Sequence, residues 1–198
     1  RLAIEQPDVR SERGILGTSV LWFEYGDDGQ PVPPERWREY SMASVVTHDL
    51  PPTAGYLANA HVKLRHELGL LTESLEQEEA AAAREQHVWL NRLTERGLLL
   101  DDTDDEVEAQ VLGLYRYLTA TRSRVLNVAL VDAVGDRRTQ NQPGTWKEDP
   151  NWQIPLSGPD GRPLMLEELY EMERPMRLAA VINGFSRVPN PWRPTLSV

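Results

Sequence analysis

The residues best suited to chemistry lie in Ser41-Met-Ala-Ser-Val-Val-Thr-His-Asp49-Leu-Pro-Pro-Thr53. A run of small and β-branched residues predicts a short buried strand. It ends in Thr47, His48 and Asp49, and two prolines follow at once. An imidazole and a carboxylate are therefore delivered to the C-terminal edge, where parallel α/β folds build their sites. Carboxylates there suit reactions at an acetal carbon. One attacks or activates water, one protonates the leaving oxygen, and others stabilise oxocarbenium-like charge or bind hydroxyls. A neighbouring imidazole can donate to sugar hydroxyls. The same pair has a plain structural use, with Asp49 capping a helix and His48 a hydrogen-bonded core residue. Spacing leaves both readings open.

Other chemistries fit less well. His61 and His66 are five apart, off the i,i+4 spacing that aligns two ligands on a helix face. His66-Glu67-Leu-Gly-Leu70 lacks the second His of a zinc-protease motif, and neither a P-loop nor a dinucleotide fingerprint occurs. No Gly-x-Ser-x-Gly elbow supports a nucleophilic serine. The sequence thus predicts no metal and no cofactor. The cluster Asp101-Asp-Thr-Asp-Asp-Glu106 resembles a calcium loop in composition only, without its alternating ligands and central Gly. It reads as a capping turn before a helix over Glu106 to Ala120. Six tryptophans is a high count, and Trp146 and Trp152 sit in loop-like sequence near Asn141. Sugar rings stack on such faces while amides and carboxylates bind their hydroxyls. Core packing is the alternative for each.

These residues need strands and helices to hold them. Thr18 to Tyr25 reads as a strand, Gly26 to Pro34 as a loop, and Glu35 to Tyr40 as a short helical turn. After Asp49, Ala54 to Leu68 reads as helix, and Leu71 to about Gly97 as a second helix starting near Thr72. Its Ala- and Glu-rich stretch, Glu76 to Arg84, reads as a solvated face. Ser123 to Val134 is a near-continuous apolar run, expected of a strand buried on both faces and carrying Asp132 at its end. Gly135 to Gly161 is loop-rich. Leu164 to Gly184 reads as a last helix kinked at Pro175, followed by an extended tail over Val188 to Val198. Arg1 to Arg13 reads as the end of a helix already under way. The alternation predicts parallel βα units, and three strands alone leave unpaired edges.

Composition narrows the class. The chain has 198 residues, 40% hydrophobic and 26% charged, enough for one domain with a sizeable core. No apolar run approaches the roughly 18 residues of a membrane span, and no signal-peptide pattern opens the chain. The absence of cysteine excludes a disulfide framework and fits a cytoplasmic protein. A net charge of −10 argues against a nucleic-acid partner, whereas a neutral sugar is indifferent to it.

Three segments together resemble one family: Gly14-Ile-Leu-Gly-Thr-Ser-Val-Leu-Trp-Phe-Glu24, Met42-Ala-Ser-Val-Val-Thr-His-Asp-Leu-Pro51, and Asn141-Gln-Pro-Gly-Thr145 with Pro150-Asn-Trp152. In order and separation they resemble the C-terminal part of the 4-α-glucanotransferases, the amylomaltase or disproportionating-enzyme family, glycoside hydrolase family 77. The resemblance implies the C-terminal portion of a (β/α)8 TIM barrel, about strands six to eight. A helical segment over 54–122 follows strand seven, and all of 1–198 belongs to one catalytic domain. It also implies a retaining double displacement between maltooligosaccharides, with a nucleophile after strand four, an acid/base after strand five and a stabilising aspartate after strand seven. Only the last maps here, onto Asp49. His48 and Asn141 match sugar-binding positions, Glu24 and Asp132 match recurrent acidic ones, and Trp152 completes the implied substrate-binding set.

The family's nucleophile and acid/base belong upstream of Arg1, and Glu5, in helical sequence, does not replace the acid/base. The expectation is a piece of a longer cytoplasmic enzyme, inactive alone and prone to self-association, with an α-1,4-glucan as substrate and no nucleic-acid or membrane partner. The alternative is a non-catalytic carbohydrate-binding or structural fragment on the same scaffold.

Overall fold

In the computed structural model the described residues are 14–184, so the helix end expected over 1–13 and the extended tail over 188–198 lie outside them. Three short parallel strands form the sheet, in the order β1 (Gly17–Val20), β2 (Ser41–Ser44), β3 (Val125–Asn127). Thr18 lies opposite Met42, and Met42 opposite Val125. The small side chains of β2 suit a central strand covered closely on both sides. Ser41, Ala43 and Ser44 are buried, and Ser41 Oγ donates to the Arg38 carbonyl at 2.7 Å.

Both outer strands are shorter than the sequence predicts. β1 stops at Val20, and a 3-10 turn over Leu21–Phe23 rolls Leu21 and Trp22 into the core. The hairpin beyond it sets this limit: Tyr25 bridges Pro31, and Gly26 N–H donates to the Gln30 carbonyl at 2.8 Å. The run Ser123 to Val134 is not one buried strand. It divides into β3 and a helix over Leu130–Val134, closed by Gly135 at φ 78° in the left-handed region that glycine tolerates. Asp132 therefore sits in a helix and not at a strand end. Val125 and Leu130 are exposed, because among the described residues no strand lies beyond β3.

The helices between β2 and β3 are α1 (Thr53–Leu57), α2 (Ala60–Glu67), α3 (Leu75–Glu95) and α4 (Glu106–Thr119). The single helix expected over Ala54 to Leu68 breaks at Asn59, whose φ is 55°. Gln86 of α3 holds the break, donating to the Tyr56 carbonyl and to Asn59 Oδ1, each at 2.8 Å. α3 starts at Ser74 and not Thr72, because Ser74 and Gln77 form a reciprocal capping box. The acidic turn caps α4 as expected, Asp105 accepting from Glu108 N–H at 3.0 Å. After the five-residue helix α5 (Leu130–Val134) come α6 (Leu166–Glu171) and α7 (Glu173–Ile182). They part at Met172 and not at Pro175, which lies in the first turn of α7, where a missing N–H leaves no bond unmade.

The core gathers on α3 and α4. Trp89 stands edge-on to Trp22, Tyr25 and Tyr117, with ring centroids 5.4–5.9 Å apart. α4 turns Val111, Leu112, Leu114, Tyr115 and Leu118 inward at helical spacing. α7 is clamped to it by Arg177, which donates to both oxygens of the buried Glu108 carboxylate at 2.8 and 3.0 Å.

α1 lies hard against the backbone after α5. A Cβ on Gly55 would stand 2.2 Å from the Arg137 carbonyl oxygen. Alanine in place of a helical glycine ordinarily stabilises by about 1 kcal/mol. Gly55→Ala is expected to destabilise by about 2 kcal/mol, because the close approach must open. Urea unfolding checks this, and a midpoint above that of the unsubstituted chain would contradict it.

Candidate active site

Beyond Ser44 the chain stays buried through Val45 and Val46, then turns at Thr47, where Leu50 N–H donates to the Thr47 carbonyl at 3.2 Å. The turn lifts His48 and Asp49 out of the protein, with side chains 69% and 54% exposed. The plain readings of this pair therefore fail. His48 is not a core residue, and the cap position of α1 belongs to Pro52.

Asp49 is held from two sides. His48 Nε2 lies 3.1 Å from Asp49 Oδ2, and Asn141 Nδ2 donates to Asp49 Oδ1 at 2.7 Å. The Trp152 ring lies 5.6 Å from the His48 ring. Four sequence-predicted residues thus meet at one point: His48, Asp49, Asn141 and Trp152. The tryptophans divide as the loop reading allows. Trp22, Trp37 and Trp89 are buried, whereas Trp146 and Trp152 are exposed. Trp146 stands apart from the cluster beneath Lys147 Nζ, 4.9 Å from its ring.

Asp49 opens onto a cleft of about 470 Å³ walled by Trp22, Phe23, Tyr56, His61 and Gln142 among others. His61 stacks on Tyr56 at 4.8 Å between centroids. Burial, with Arg65 nearby, pushes its pKa down to about 4, so its ring is neutral at pH 7. Tyr56 Oη donates to Glu85 Oε2 at 2.5 Å, and burial followed by this carboxylate drives the phenol's pKa up. Among the described residues, no three His, Asp or Glu side chains are grouped to hold a metal ion. No helix among them is long and apolar enough to cross a membrane.

Two expected substrate-binding residues are placed elsewhere. Glu24 follows the 3-10 turn after β1, where its carbonyl accepts from Val32 N–H at 2.8 Å, and its carboxylate joins neither Asp49 nor the cleft wall. Asp132 is buried, and its oxygens accept from Thr53 N–H (2.7 Å), Thr53 Oγ1 (2.6 Å) and Tyr115 Oη (2.9 Å). It has no free face for a ligand.

Sequence reasoning gave no role to Asn151 and Asp136, which shape the Asn141 loop. Asn151 accepts from Gln142 N–H at 2.6 Å and donates to Thr145 Oγ1 at 2.8 Å, tying both ends of the Asn-Gln-Pro-Gly-Thr turn together. Trp152 takes a left-handed φ of 62° as its N–H donates to the Gln140 carbonyl. Asp136, wholly buried, accepts from Arg138 N–H, Nε and a terminal nitrogen and from Ser157 N–H, all within 3.0 Å. Gly135-Asp-Arg-Arg138 carried a signal for it, a carboxylate two residues from an arginine just after a helix stop.

Burial alone would raise the Asp136 pKa, but Arg138 and the two N–H donors outweigh it and hold the carboxyl below its ordinary range. A carboxylate depressed on folding contributes stability that is present above its unfolded value, about 3.9, and is lost as pH falls through the folded value. Asp136→Asn is therefore expected to cost about 2 kcal/mol at pH 7 and to flatten the loss of stability below pH 4. Urea midpoints from pH 3 to 7 test it, and parallel curves for both proteins would contradict it.

The class is an α/β protein that gathers His48, Asp49, Asn141 and Trp152 just beyond the C-terminal end of a parallel strand. The sequence profile of the 4-alpha-glucanotransferases, glycoside hydrolase family 77, matches residues 4–160. The chain belongs to this family. It is 54% identical over 181 residues to the 4-alpha-glucanotransferases of Mycobacterium tuberculosis and Mycobacterium bovis, a match covering 89% of this chain and 25% of each relative. The chain thus spans about a quarter of the length of these curated relatives. Among solved structures, the amylomaltase of Corynebacterium glutamicum matches with a TM-score of 0.83 and 37% identity, over 92% of this chain and 28% of that one.

Proposed function

We propose that this chain supplies the transition-state-stabilising carboxylate and part of the sugar-binding site of a 4-α-glucanotransferase acting on maltooligosaccharides. The hydrogen bond from Asn141 to Asp49 carries this reading, because it joins two family-like motifs 92 residues apart into one site. On this reading the described strands are about strands six to eight of a (β/α)8 barrel, 54–122 is the helical segment after strand seven, and 1–198 belongs to one catalytic domain. Nucleophile and acid/base come from outside this chain. The exposed apolar residues flanking the sheet, Leu16, Val125 and Val128, suit contact with those further units, and drive self-association of the chain alone. The work is done in the cytoplasm.

The chemistry is a retaining double displacement. A carboxylate attacks the anomeric carbon while the acid protonates the departing 4-oxygen. The 4-hydroxyl of an acceptor glucan then displaces the carboxylate and gives its proton back to the acid/base. In both steps positive charge grows at the anomeric carbon and ring oxygen. Asp49, pinned by Asn141 and half exposed toward the ligand, attracts that charge more strongly than it attracts the neutral ground state. His48 hydrogen-bonds a hydroxyl, and the Trp152 face packs on a ring.

A chimera tests this, with residues 14–184 replacing the matching stretch of the Mycobacterium tuberculosis relative. It is expected to release glucose from maltotriose, whereas the 198-residue chain alone releases none. Asp49→Asn in the chimera is expected to lower kcat by about 10²-fold or more with KM little changed, and His48→Asn to act more mildly and partly on KM. A well-folded Asp49→Asn chimera with unchanged turnover would remove Asp49 from the reaction.

A further inference from the structure

The sequence reading expects Asp132 to bind substrate, and its geometry points inward instead. We propose that Asp132 is a positioning residue. It caps α1 from 79 residues away and, through the stiff Pro51-Pro52 segment, sets where the Asp49 carboxylate stands. This deepens the reading above, and its functional half rests on that reading.

The need for a cap comes from the two prolines. The first N–H groups of a helix have no partner inside it. α1 has no side-chain cap of its own, because Pro52 occupies the cap position. Thr53 is wholly buried, so water cannot supply the missing acceptor. Asp132 supplies it, taking Thr53 N–H on Oδ1 and Thr53 Oγ1 on Oδ2. Tyr115 Oη of α4 also donates to Oδ2 and itself accepts from Ala129 N–H at 3.2 Å, which fixes the entry to α5. One carboxylate thus fastens the start of α1, the middle of α4 and the start of α5 together.

That anchor reaches Asp49 because little lies between them that can bend. Proline holds φ near −65°, and Pro52 has φ −52°. On the near side, Leu50 is tied back to Thr47. A shift of Thr53 is therefore passed along this segment toward Asp49. The partner of Asp49 is controlled from the same helix: Asp136, just past α5, anchors the loop bearing Asn141. Both ends of the Asp49–Asn141 hydrogen bond are referred to α5. Burial pushes the Asp132 pKa up, so the core holds this carboxylate against its desolvation. A merely space-filling role would be met by an apolar residue without that cost.

The test reads the Asn141 side-chain amide by NMR in the 198-residue chain, with Asp49→Ala marking the position of the resonance when the bond is absent. Asp132→Asn, which keeps the shape but replaces one of the two acceptor oxygens by an N–H donor, so that Thr53 and Tyr115 cannot both keep their present bonds, is expected to move this amide at least halfway to the Asp49→Ala position. Thr53→Val, which keeps the backbone N–H and removes the hydroxyl, is expected to move it in the same direction and covers the case in which Asp132→Asn does not fold. Leu93→Val, in the core away from the site, is expected to lower Tm and leave the amide in place. In the chimera, Asp132→Asn is expected to lower kcat at least 10-fold with KM within about threefold, since displacements near 1 Å cost on the order of 10²-fold. Replacing both Pro51 and Pro52 by Gly in addition is expected to cost little more, because both changes release the same restraint. An unmoved amide in folded Asp132→Asn and Thr53→Val, with only Tm lowered, would overturn the proposal. An inactive unsubstituted chimera would overturn the functional reading alone, and the amide would still decide this one.

Discussion

A carboxylate buried in a protein interior has to be surrounded by donors, and that requirement at Asp132 organises much of this chain. Its oxygens are filled from two elements besides its own, α1 and α4, which the sequence separates widely. Each must arrive at a defined angle. α4 brings Tyr115 because that residue shares its buried face with Leu112 and Leu118. α1 brings Thr53 because Gly55, two residues on, lets the helix lie against the Arg137 backbone. The same close approach that makes a side chain at Gly55 costly makes the Thr53 contact possible. Packing and polar satisfaction are here two views of one arrangement.

The charged groups divide between those that are buried and those that stand in solvent. The ion pairs of Glu108 with Arg177 and of Asp105 with Arg174 bind α7 to α4. Burial would raise the Asp105 pKa, but the Glu108 N–H and Arg174 outweigh it and hold its carboxyl below the ordinary range. His48 and Asp49, by contrast, stand in solvent, where an ion pair contributes little to stability. Their placement is borrowed from the buried groups beneath them, as a preorganised site requires.

The turn at Thr47 was legible because its signals are local: an apolar run, polar residues at its end, then two prolines. The division of the tryptophans was legible for the same reason, since Trp146 and Trp152 lie among Gly, Pro and Asn. The split of Ser123 to Val134 was not, because a short apolar run fits a buried strand and a buried helix equally well. Asp132 was misread on the same ground. As a strand-end carboxylate it would face a ligand, and only the helix turns it inward toward Thr53. No periodicity encodes that pairing, which depends on where the chain returns after four helices. The family likeness picked out the candidate residues, and the coordinates bring His48, Asp49, Asn141 and Trp152 together while burying Asp132 among Thr53 and Tyr115.

The central strand has consequences for the order in which the molecule forms. Met42 pairs with Val125 across the whole helical segment, and Thr53–Asp132 and Asp49–Asn141 close loops of 79 and 92 residues. Helices such as α3 and α4 assemble from local contacts in microseconds or less, whereas joining β2 to β3 waits on a long loop. Once Ser44 faces Asn127, the other two pairs close loops of only about 14 and 19 residues, so their further entropic cost is smaller. The site then forms as one late event, after the strands have met. It is also an early place to open, since a single slip of β3 along β2 would part both pairs together. A ligand spanning Asp49 and Asn141 joins two distant stretches of chain, and so acts as a reversible cross-link that slows that slip.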